Sequence, residues 1–143
     1  MTYTVKIKPL SDTAKLPSFK SEGAAAMDVY AASSHTVPPM KTCVIPCGFA
    51  LEAPGFIDVQ LRPRSGLSKN GMLVSFGTID PDYRGEVGVI ITNISNESYD
   101  VKAGDRVAQL AMAENMARRV RFSVVEHLTE TKRGEGGFGS TGR

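Results

Sequence analysis

Apolar and polar residues alternate with a period of two in several short segments of this 143-residue chain. In segment 57–62, three aliphatic residues alternate with an aspartate, a glutamine and an arginine, and segments 5–8 and 120–125 show the same period. This period predicts strands that bury one face. Four further runs have a composition typical of strands: Cys43–Ala53, Met72–Ile79, Glu86–Ile94 and Arg106–Met112.

Turn-forming residues separate these segments. They lie at Pro38-Pro39, Ala53–Gly55, Asn70-Gly71, Asn93–Ser98 and Ala103–Asp105. The helical period of 3.6 residues is not sustained over any 12-residue window, and the one short helix we expect lies near Ser65–Asn70. Many short strands at this spacing predict an all-β sandwich, barrel or jelly roll.

Composition is that of one soluble globular domain, with 41% hydrophobic and 22% charged residues. No apolar run approaches the roughly 20 residues that span a bilayer, and the first residues lack the apolar core of a secretory signal, so we expect a cytoplasmic protein without a membrane partner. The net charge of +2 comes from scattered lysines and arginines. It argues against a nucleic-acid partner but leaves a small anionic ligand open.

The two cysteines, Cys43 and Cys47, could suggest a metal site. A zinc site would need more ligands at closer spacing, and neither His35 nor His127 is near them in sequence. We therefore expect buried free thiols on a strand.

The segment 77–85, GTIDPDYRG, holds the strongest candidate for chemistry. Asp80 and Asp82 flank Pro81, which fixes its own φ and favours an extended Asp80, while Gly85 allows a sharp exit from the turn. A carboxylate held at a fixed angle can orient and deprotonate a water molecule. The alternative is an ordinary β-turn, in which Asp and Pro are common.

Two further segments hold candidate residues for chemistry. In RPRSGLS, residues 62–68, a helix that starts beside Arg64 would offer free N–H groups to an anion. The alternative is a capped surface helix with solvated arginines. In AGDRVAQL, residues 103–110, Arg106 and Gln109 lie at the start of a predicted strand, which could also be an ordinary edge strand after a turn.

Asp28 is a lone acid among small and apolar residues in AAAMDVYAA, residues 24–32. Because a buried carboxylate is costly without a partner, we expect a metal, a bound water or a cation beside it. A structural aspartate in a salt bridge is the equally open alternative.

The segment 133–143, RGEGGFGSTGR, contains five glycines in eleven residues. Such backbone can approach a ligand closely and direct N–H groups at an anion. It differs from a phosphate-binding loop in having Ser140 where the lysine would be. Its other side chains, Arg133, Phe138 and Thr141, could grip a phosphate chain and stack on a base, and a frayed terminus is the alternative.

Five segments in this order resemble the motifs of the homotrimeric all-β dUTP diphosphatases (dUTPases), and the resemblance extends over residues 3–142. The motifs are AAMDVYA, RPRSGLS, GTIDPDYRG, AGDRVAQL and RGEGGFGSTG. The resemblance implies a jelly-roll-like β-barrel domain of residues 1–132 with one short helix, followed by a flexible lid of residues 133–143. It also implies a homotrimer whose active sites lie between subunits.

The implied reaction converts dUTP to dUMP and pyrophosphate with Mg²⁺, which keeps uracil out of DNA and supplies dUMP for thymidylate synthesis. Asp80 would activate the water that attacks the α-phosphorus, with Gln109 helping to position it, and Asp28 would hold waters of the Mg²⁺ shell. Tyr83 would pack on the deoxyribose and Phe138 on uracil. The substrate-binding residues implied are Arg64, Ser65, Gly66, Gly77, Ile79, Tyr83, Arg133, Phe138, Gly139, Ser140 and Thr141.

One position departs from the family pattern. Many members have an asparagine three residues before the glycine of the third motif, where this chain has Val74. Uracil would then be selected by backbone amides of an expected hairpin, Met72–Tyr83. The alternatives are a dCTP deaminase-type or bifunctional enzyme, for which no acidic residue replaces Val74, and a non-catalytic nucleotide-binding trimer.

Overall fold

The computed structural model describes residues 1–142, so Arg143, the last residue of the expected lid, lies outside the described residues. This part of the chain contains eleven strands, one α-helix and one 3-10 helix. The strands are β1 (Lys6–Pro9), β2 (Met27–Tyr30), β3 (His35–Val37), β4 (Thr42–Pro46), β5 (Phe49–Glu52), β6 (Ile57–Arg62), β7 (Met72–Val74), β8 (Gly77–Ile79), β9 (Gly88–Asn93), β10 (Tyr99–Val101) and β11 (Arg106–Glu114). Helix α1 is Ser65–Lys69, and the 3-10 helix is Met116–Arg119.

The strands form four antiparallel sheets. The largest has the order β2-β11-β6-β8, a second has the order β4-β9-β7, and two pairs are β1-β5 and β10-β3. The expected all-β class with one short α-helix is thus confirmed. Within residues 1–142, no helix is long and apolar enough to cross a membrane.

One hydrophobic core joins the sheets. Every strand except β1 contributes a buried residue to it, and α1 contributes Leu67. The predicted alternation is clearest in β6, where Ile57, Val59 and Leu61 are buried and the residues between them are partly exposed. Each aliphatic side chain buried in this way stabilises the fold by roughly 1.5–3 kcal/mol.

The predicted turns are confirmed, since all five lie between consecutive elements or at their ends. Two predicted runs are each divided into two strands. Residues 43–53 become β4 and β5, separated at Gly48, whose φ of +76° favours glycine. The strands β2, β3 and β10 were not predicted, because strands of three or four residues are too short to show a period.

The strand predicted at 120–125 is absent. No backbone hydrogen bond of the described chain involves residues 121–130, and Phe122 and Val124 are 98% and 99% exposed. Alternation creates a strand only where a neighbouring strand and an apolar surface accept it, and this chain offers neither to the segment. The strand β1 is present as predicted. The prediction that it buries one face is wrong, because its four residues are all exposed.

Both cysteines are free thiols, with Cys47 buried directly after β4 and Cys43 half-buried within it. Burial raises the pKa of Cys47 to about 12, and the nearby Glu86 carboxylate acts in the same direction. At pH 8 only about one Cys47 in 10,000 would be the reactive thiolate.

We therefore expect an alkylating reagent at pH 8 to modify Cys43 and to leave Cys47 unmodified until denaturant is added, as measured by mass spectrometry. Because folding raises the pKa of Cys47 above the ordinary 9.0, this group should also make the fold less stable as the pH rises above 9. The Cys43→Ala variant is the control, since it should show no native labelling. Rapid native labelling of Cys47 in that variant would contradict the burial seen here.

Candidate functional site

Three of the predicted segments meet on the largest sheet. Gln109 on β11 lies opposite Asp28 on β2 and opposite Arg62 on β6. Directly opposed residues of antiparallel strands share a face of the sheet. One polar row therefore crosses three strands and links segments that lie far apart in sequence.

An irregularity in β11 brings a further residue, Arg106, to the same face of the sheet. The register between β2 and β11 shifts between Arg106 and Ala108, as in a β-bulge. The extra residue changes the phase of the alternation, so that Arg106 and Gln109, three positions apart, are both partly exposed while the two residues between them are buried. Without the bulge, residues 106 and 109 would point to opposite faces.

Asp28 lies at the centre of this cluster, with a side chain only 4% exposed. Its Oδ1 is 3.6 Å from Nε of Arg64, and its Oδ2 is 3.3 Å from a terminal guanidinium nitrogen of Arg106. Arg64 also donates a hydrogen bond of 3.1 Å to the backbone carbonyl of Arg106. The cation expected beside Asp28 is therefore supplied by two arginines, as in the salt-bridge alternative.

The same two arginines line a cavity of about 320 Å³ that also reaches Gly66. Two guanidinium groups share one buried carboxylate, which leaves one positive charge uncompensated within this group of three. Asp105 also lines the cavity and offsets this charge, although its carboxylate is directed at the adjoining turn, where it accepts a hydrogen bond from the Lys102 backbone N–H. The guanidinium groups of Arg64 and Arg106 can form charge-assisted hydrogen bonds with an anion such as phosphate.

Helix α1 starts at this cavity. Its N-cap residue is Arg64, and no side chain caps it, so the capped helix of the alternative is not formed, although Arg62 is exposed as that alternative expected. Within residues 1–142, the backbone N–H groups of Ser65 and Gly66 donate no hydrogen bond. They remain available to a ligand beside Arg64.

A second group of predicted residues surrounds another cavity, of about 260 Å³. It includes Gly77, Ile79, Asp80 and Tyr83. The turn is closed by a 3.0 Å hydrogen bond from the Tyr83 N–H to the Asp80 carbonyl, and Arg84 donates to the Pro81 carbonyl at 2.6 Å. The β-turn alternative and the functional interpretation are therefore compatible, because the turn holds an exposed Asp80 at a cavity.

The expected hairpin Met72–Tyr83 is not formed. Strand β7 pairs with β9 and strand β8 pairs with β6, so the segment passes from one sheet to another. As the last strand of its sheet, β8 keeps one row of backbone N–H and C=O groups without a strand partner. Val74 is buried in the core, so its side chain is not part of the cavity.

The third group is the glycine-rich segment, which forms consecutive turns. Arg133 donates from Nε to the Gly136 carbonyl at 2.8 Å, and backbone hydrogen bonds close turns at Gly136, Ser140 and Gly142. Lys132, Arg133, Ser140 and Thr141 line an open cavity of about 530 Å³. The ring of Phe138 is fully exposed. Cationic and hydroxyl groups therefore converge here, with an aromatic ring nearby in sequence.

The three cavities have no lining residue in common. In the described part of the chain, no side-chain hydrogen bond or ion pair joins one group to another. One copy of the chain thus carries the arginine cavity, a carboxylate with an aromatic ring, and a cationic glycine-rich segment as separate parts.

Arg106 is a candidate in the segment AGDRVAQL, but it is not among the site residues that the family resemblance implies. It lies in the same segment as Gln109, but the strand period places positions 106 and 109 on opposite faces. Only the bulge brings the two together, and neither glycine nor proline marks it within β11.

Comparison with known proteins identifies the family. A family model described as dUTPase matches residues 12–142. A deoxyuridine 5'-triphosphate nucleotidohydrolase of Desulfotalea psychrophila is 46% identical over 137 residues, which cover 92% of this chain and 90% of the relative. An enzyme of the same name from Syntrophotalea carbinolica is 44% identical over 146 residues, covering 99% and 98% of the two chains.

Solved structures agree with the sequence comparison. A mutant dUTPase of Staphylococcus bacteriophage 80alpha with dUpNHpp has a TM-score of 0.89 and 26% identity, covering 99% of this chain and 100% of the phage chain. A mutant dUTPase from phage phi11 of S. aureus, whose structure concerns the coordination of a structural Mg(II) ion, has a TM-score of 0.75 and 21% identity over 91% of this chain and 99% of its own. The expected dUTPase-type jelly roll is confirmed.

We expect Asp28→Asn to lower the free energy of unfolding by about 1–3 kcal/mol, measured by urea denaturation. The two arginines would then lose the carboxylate that neutralises them. This loss of stability should be smaller than the roughly 3–5 kcal/mol known for breaking a fully buried ion pair. The reason is that the Arg106 side chain is 39% exposed, so water can partly solvate its charge.

The matched control is Glu52→Gln, which removes the charge of the exposed Lys6–Glu52 pair. Exposed pairs contribute little to stability, so this variant should unfold like the wild type. Equal effects of the two substitutions would show that the Asp28 cluster is not the stabilising centre described here.

Proposed function

The chain belongs to the dUTPase family, and on that premise we propose that it hydrolyses dUTP to dUMP and pyrophosphate with the help of Mg²⁺. One observation carries the proposal: a fixed turn holds the Asp80 carboxylate at a cavity that Tyr83 also lines. In the proposed complex a nucleoside would occupy this cavity, with the carboxylate at its edge beside a water molecule. The reaction would keep uracil out of DNA and supply dUMP for thymidylate synthesis.

The base would bind along β8. Gly77 and Ile79 lie on this edge strand, and its unpaired backbone groups can form hydrogen bonds with the edge of uracil. Cytosine presents an amino donor where uracil presents an acceptor, so a backbone donor at that point rejects it. The burial of Val74 supports selection by the backbone rather than by an amide side chain at that position.

The sugar and the attacking water would lie at the other side of the cavity. Tyr83 packs against the deoxyribose and leaves no room for a 2′-hydroxyl. Asp80 accepts a proton from water as the water attacks the α-phosphorus. The exposure of Asp80 and its fixed turn favour this role, because a general base must reach a water at a defined angle.

The phosphates would bind at the Asp28 cluster. Arg64 and the N–H groups of Ser65 and Gly66 neutralise and hold the phosphate oxygens, and Gln109 positions the water or a phosphate. Phosphoryl transfer depends mainly on such positioning and charge stabilisation. Arg106, which lines the same cavity, belongs to this set.

Mg²⁺ would be held chiefly by the phosphates and by water. Residues 1–142 contain no group of three or more His, Cys, Asp or Glu side chains placed to hold a metal, and Mg²⁺ commonly binds through substrate phosphates with one or two carboxylates. Asp28 fits an outer-sphere role, because its Oδ1 lies 3.6 Å from Arg64, beyond a good hydrogen bond, and can accept one from a metal-bound water. When bound, Mg²⁺ neutralises charge that develops on the phosphates.

The separation of the three groups supports a homotrimer with active sites between subunits. An apolar outer face of the sheet β4-β9-β7 is available for assembly, with Val44, Leu73 and Ile90 exposed by 60%, 44% and 45%. Exposed apolar clusters of this kind typically mark an interaction surface. Ile90 also lines the Asp80 cavity, so a neighbouring subunit would complete its wall.

The glycine-rich segment would close the site as a lid. Phe138 stacks on uracil, while Arg133, Gly139, Ser140 and Thr141 bind the phosphate end. Residues 120–142 form no hydrogen bond or ion pair with residues 1–116 of the same chain, which supports a role on a neighbouring subunit. Base stacking and phosphate contacts would offset the entropy lost on closure.

We expect pyrophosphate release from dUTP to exceed that from dCTP, dTTP and UTP when the four are assayed side by side with Mg²⁺.

We expect Asp80→Asn to bind dUTP and to lose about 100- to 10,000-fold in kcat, which is the usual contribution of a general base. The Asp82→Asn variant is the matched control in the same turn and should retain activity close to that of the wild type.

Other results would favour the competing functions. Ammonia release from dCTP would indicate a deaminase-type or bifunctional enzyme. Tight binding of dUTP without any pyrophosphate would indicate a nucleotide-binding trimer. An Asp80→Asn enzyme as fast as the wild type would overturn the role of Asp80 alone.

We expect deletion of residues 133–143 to leave folding and assembly intact and to lower kcat/KM by at least about 100-fold, because the reacting groups would no longer be enclosed and aligned. Activity on dUTP and the thermal midpoint would be measured together. A Phe138→Ala variant tests base stacking separately and should lose affinity without losing the lid. Full activity of the truncated protein would show that the segment has no part in the site.

A further inference from the structure

Gly85 meets the side chain of Tyr83 at close range. A Cβ atom at position 85 would lie 2.6 Å from Cζ and 2.9 Å from Cε2 of the tyrosine ring. Distances below about 3 Å between carbon atoms are sterically forbidden, since the optimum is about 3.5–4.0 Å. The ring therefore occupies the space that any other residue at position 85 would fill.

The backbone does not require glycine at this position. The φ of Gly85 does not lie in the left-handed region, unlike that of Gly71 or Gly104. The expected sharp exit from the turn therefore does not explain why position 85 is a glycine. Glycine is needed because it has no side chain where the ring packs.

The tyrosine ring is fixed at its far end as well. Its hydroxyl donates a 2.9 Å hydrogen bond to the Glu86 carbonyl. The Glu86 carboxylate in turn accepts a hydrogen bond from the Gly48 N–H at 3.0 Å, and the Val87 N–H donates to the Phe49 carbonyl at 2.9 Å. The ring is thus tied through Glu86 to the start of β5, while 47% of Tyr83 remains exposed.

From this packing we infer that Gly85 is a positioning residue for nucleotide selection: it lets the Tyr83 ring fold back onto residues 85–86 and so sets the width of the cavity beside Asp80. An added methyl group would move the ring by about 0.8 Å to restore ordinary contact. Because the ring lines the cavity and is bound to Glu86, such a movement would change the shape of the cavity or break the hydrogen bond. The inference rests on the proposed function, in which Tyr83 packs against the sugar.

The test is a double-mutant cycle that measures the affinity for dUpNHpp with Mg²⁺ by calorimetry. Gly85→Ala should weaken binding by about 10-fold or more and reduce the preference for dUTP over UTP in kcat/KM. In a Tyr83→Ala background the same substitution should change affinity less than about 2-fold, because no ring remains to be displaced. Equal effects in both backgrounds, or no effect in the wild type, would overturn the inference.

The matched control is Gly23→Ala, since a Cβ at position 23 meets no atom within 4 Å and its φ is not left-handed. It should bind dUpNHpp like the wild type. Loss of affinity in this variant would show that the effect of alanine at 85 is not specific, which also counts against the inference.

A measurement without nucleotide separates this inference from the proposed function. In the protein with labelled tyrosines, Gly85→Ala should shift the NMR signals of the Tyr83 ring and leave those of Tyr3, Tyr30 and Tyr99 unchanged. Unmoved Tyr83 signals would contradict the packing. If the wild type fails to bind dUpNHpp, the proposed function fails, and the NMR comparison alone decides whether Gly85 positions the ring.

Discussion

A buried carboxylate held by two arginines is the interaction on which the site depends. Asp28 is almost closed to solvent, and ionised groups are rarely buried without partners. Arg64 follows β6 and Arg106 begins β11, so the two ion pairs tie three segments of the largest sheet together. A buried carboxylate needs positively charged partners. The two guanidinium groups that stabilise Asp28 in this way also lie beside one cavity.

The core and the site make different demands on the chain. Ten strands and one helix bury aliphatic residues in a single cluster, which gives a rigid support. The groups proposed for chemistry lie at the margins of that support: a strand edge, a tight turn, the first turn of a short helix and a glycine-rich segment. At each of these places, some backbone or charged groups have no partner within the chain. Those groups can contact a substrate or another subunit.

The order of apolar, polar and turn-forming residues predicted those features that depend on interactions between residues close together in sequence. The alternation in β6 and the turn residues at Asn70-Gly71 were informative because burial and backbone preference act within a few residues. The predicted strand at 120–125 was wrong because its period needs a partner that one chain does not supply. The family motifs named the expected site residues, but they could not show that Arg106 joins Asp28, which depends on a bulge, or that Val74 faces the core.

The bulge in β11 has a consequence for how the chain can vary in length. Removal of the one residue between Arg106 and Ala108 would remove the bulge and leave Arg106 and Gln109 on the same face, whereas a residue removed or added after Ala108 would move every later side chain of the strand to the other face. Apart from the bulge, we expect insertions and deletions to be accepted in loops such as residues 10–26, all of which are at least partly exposed. Within β11, the bulge is thus a place where the strand can lose a residue while Gln109 keeps its face of the sheet.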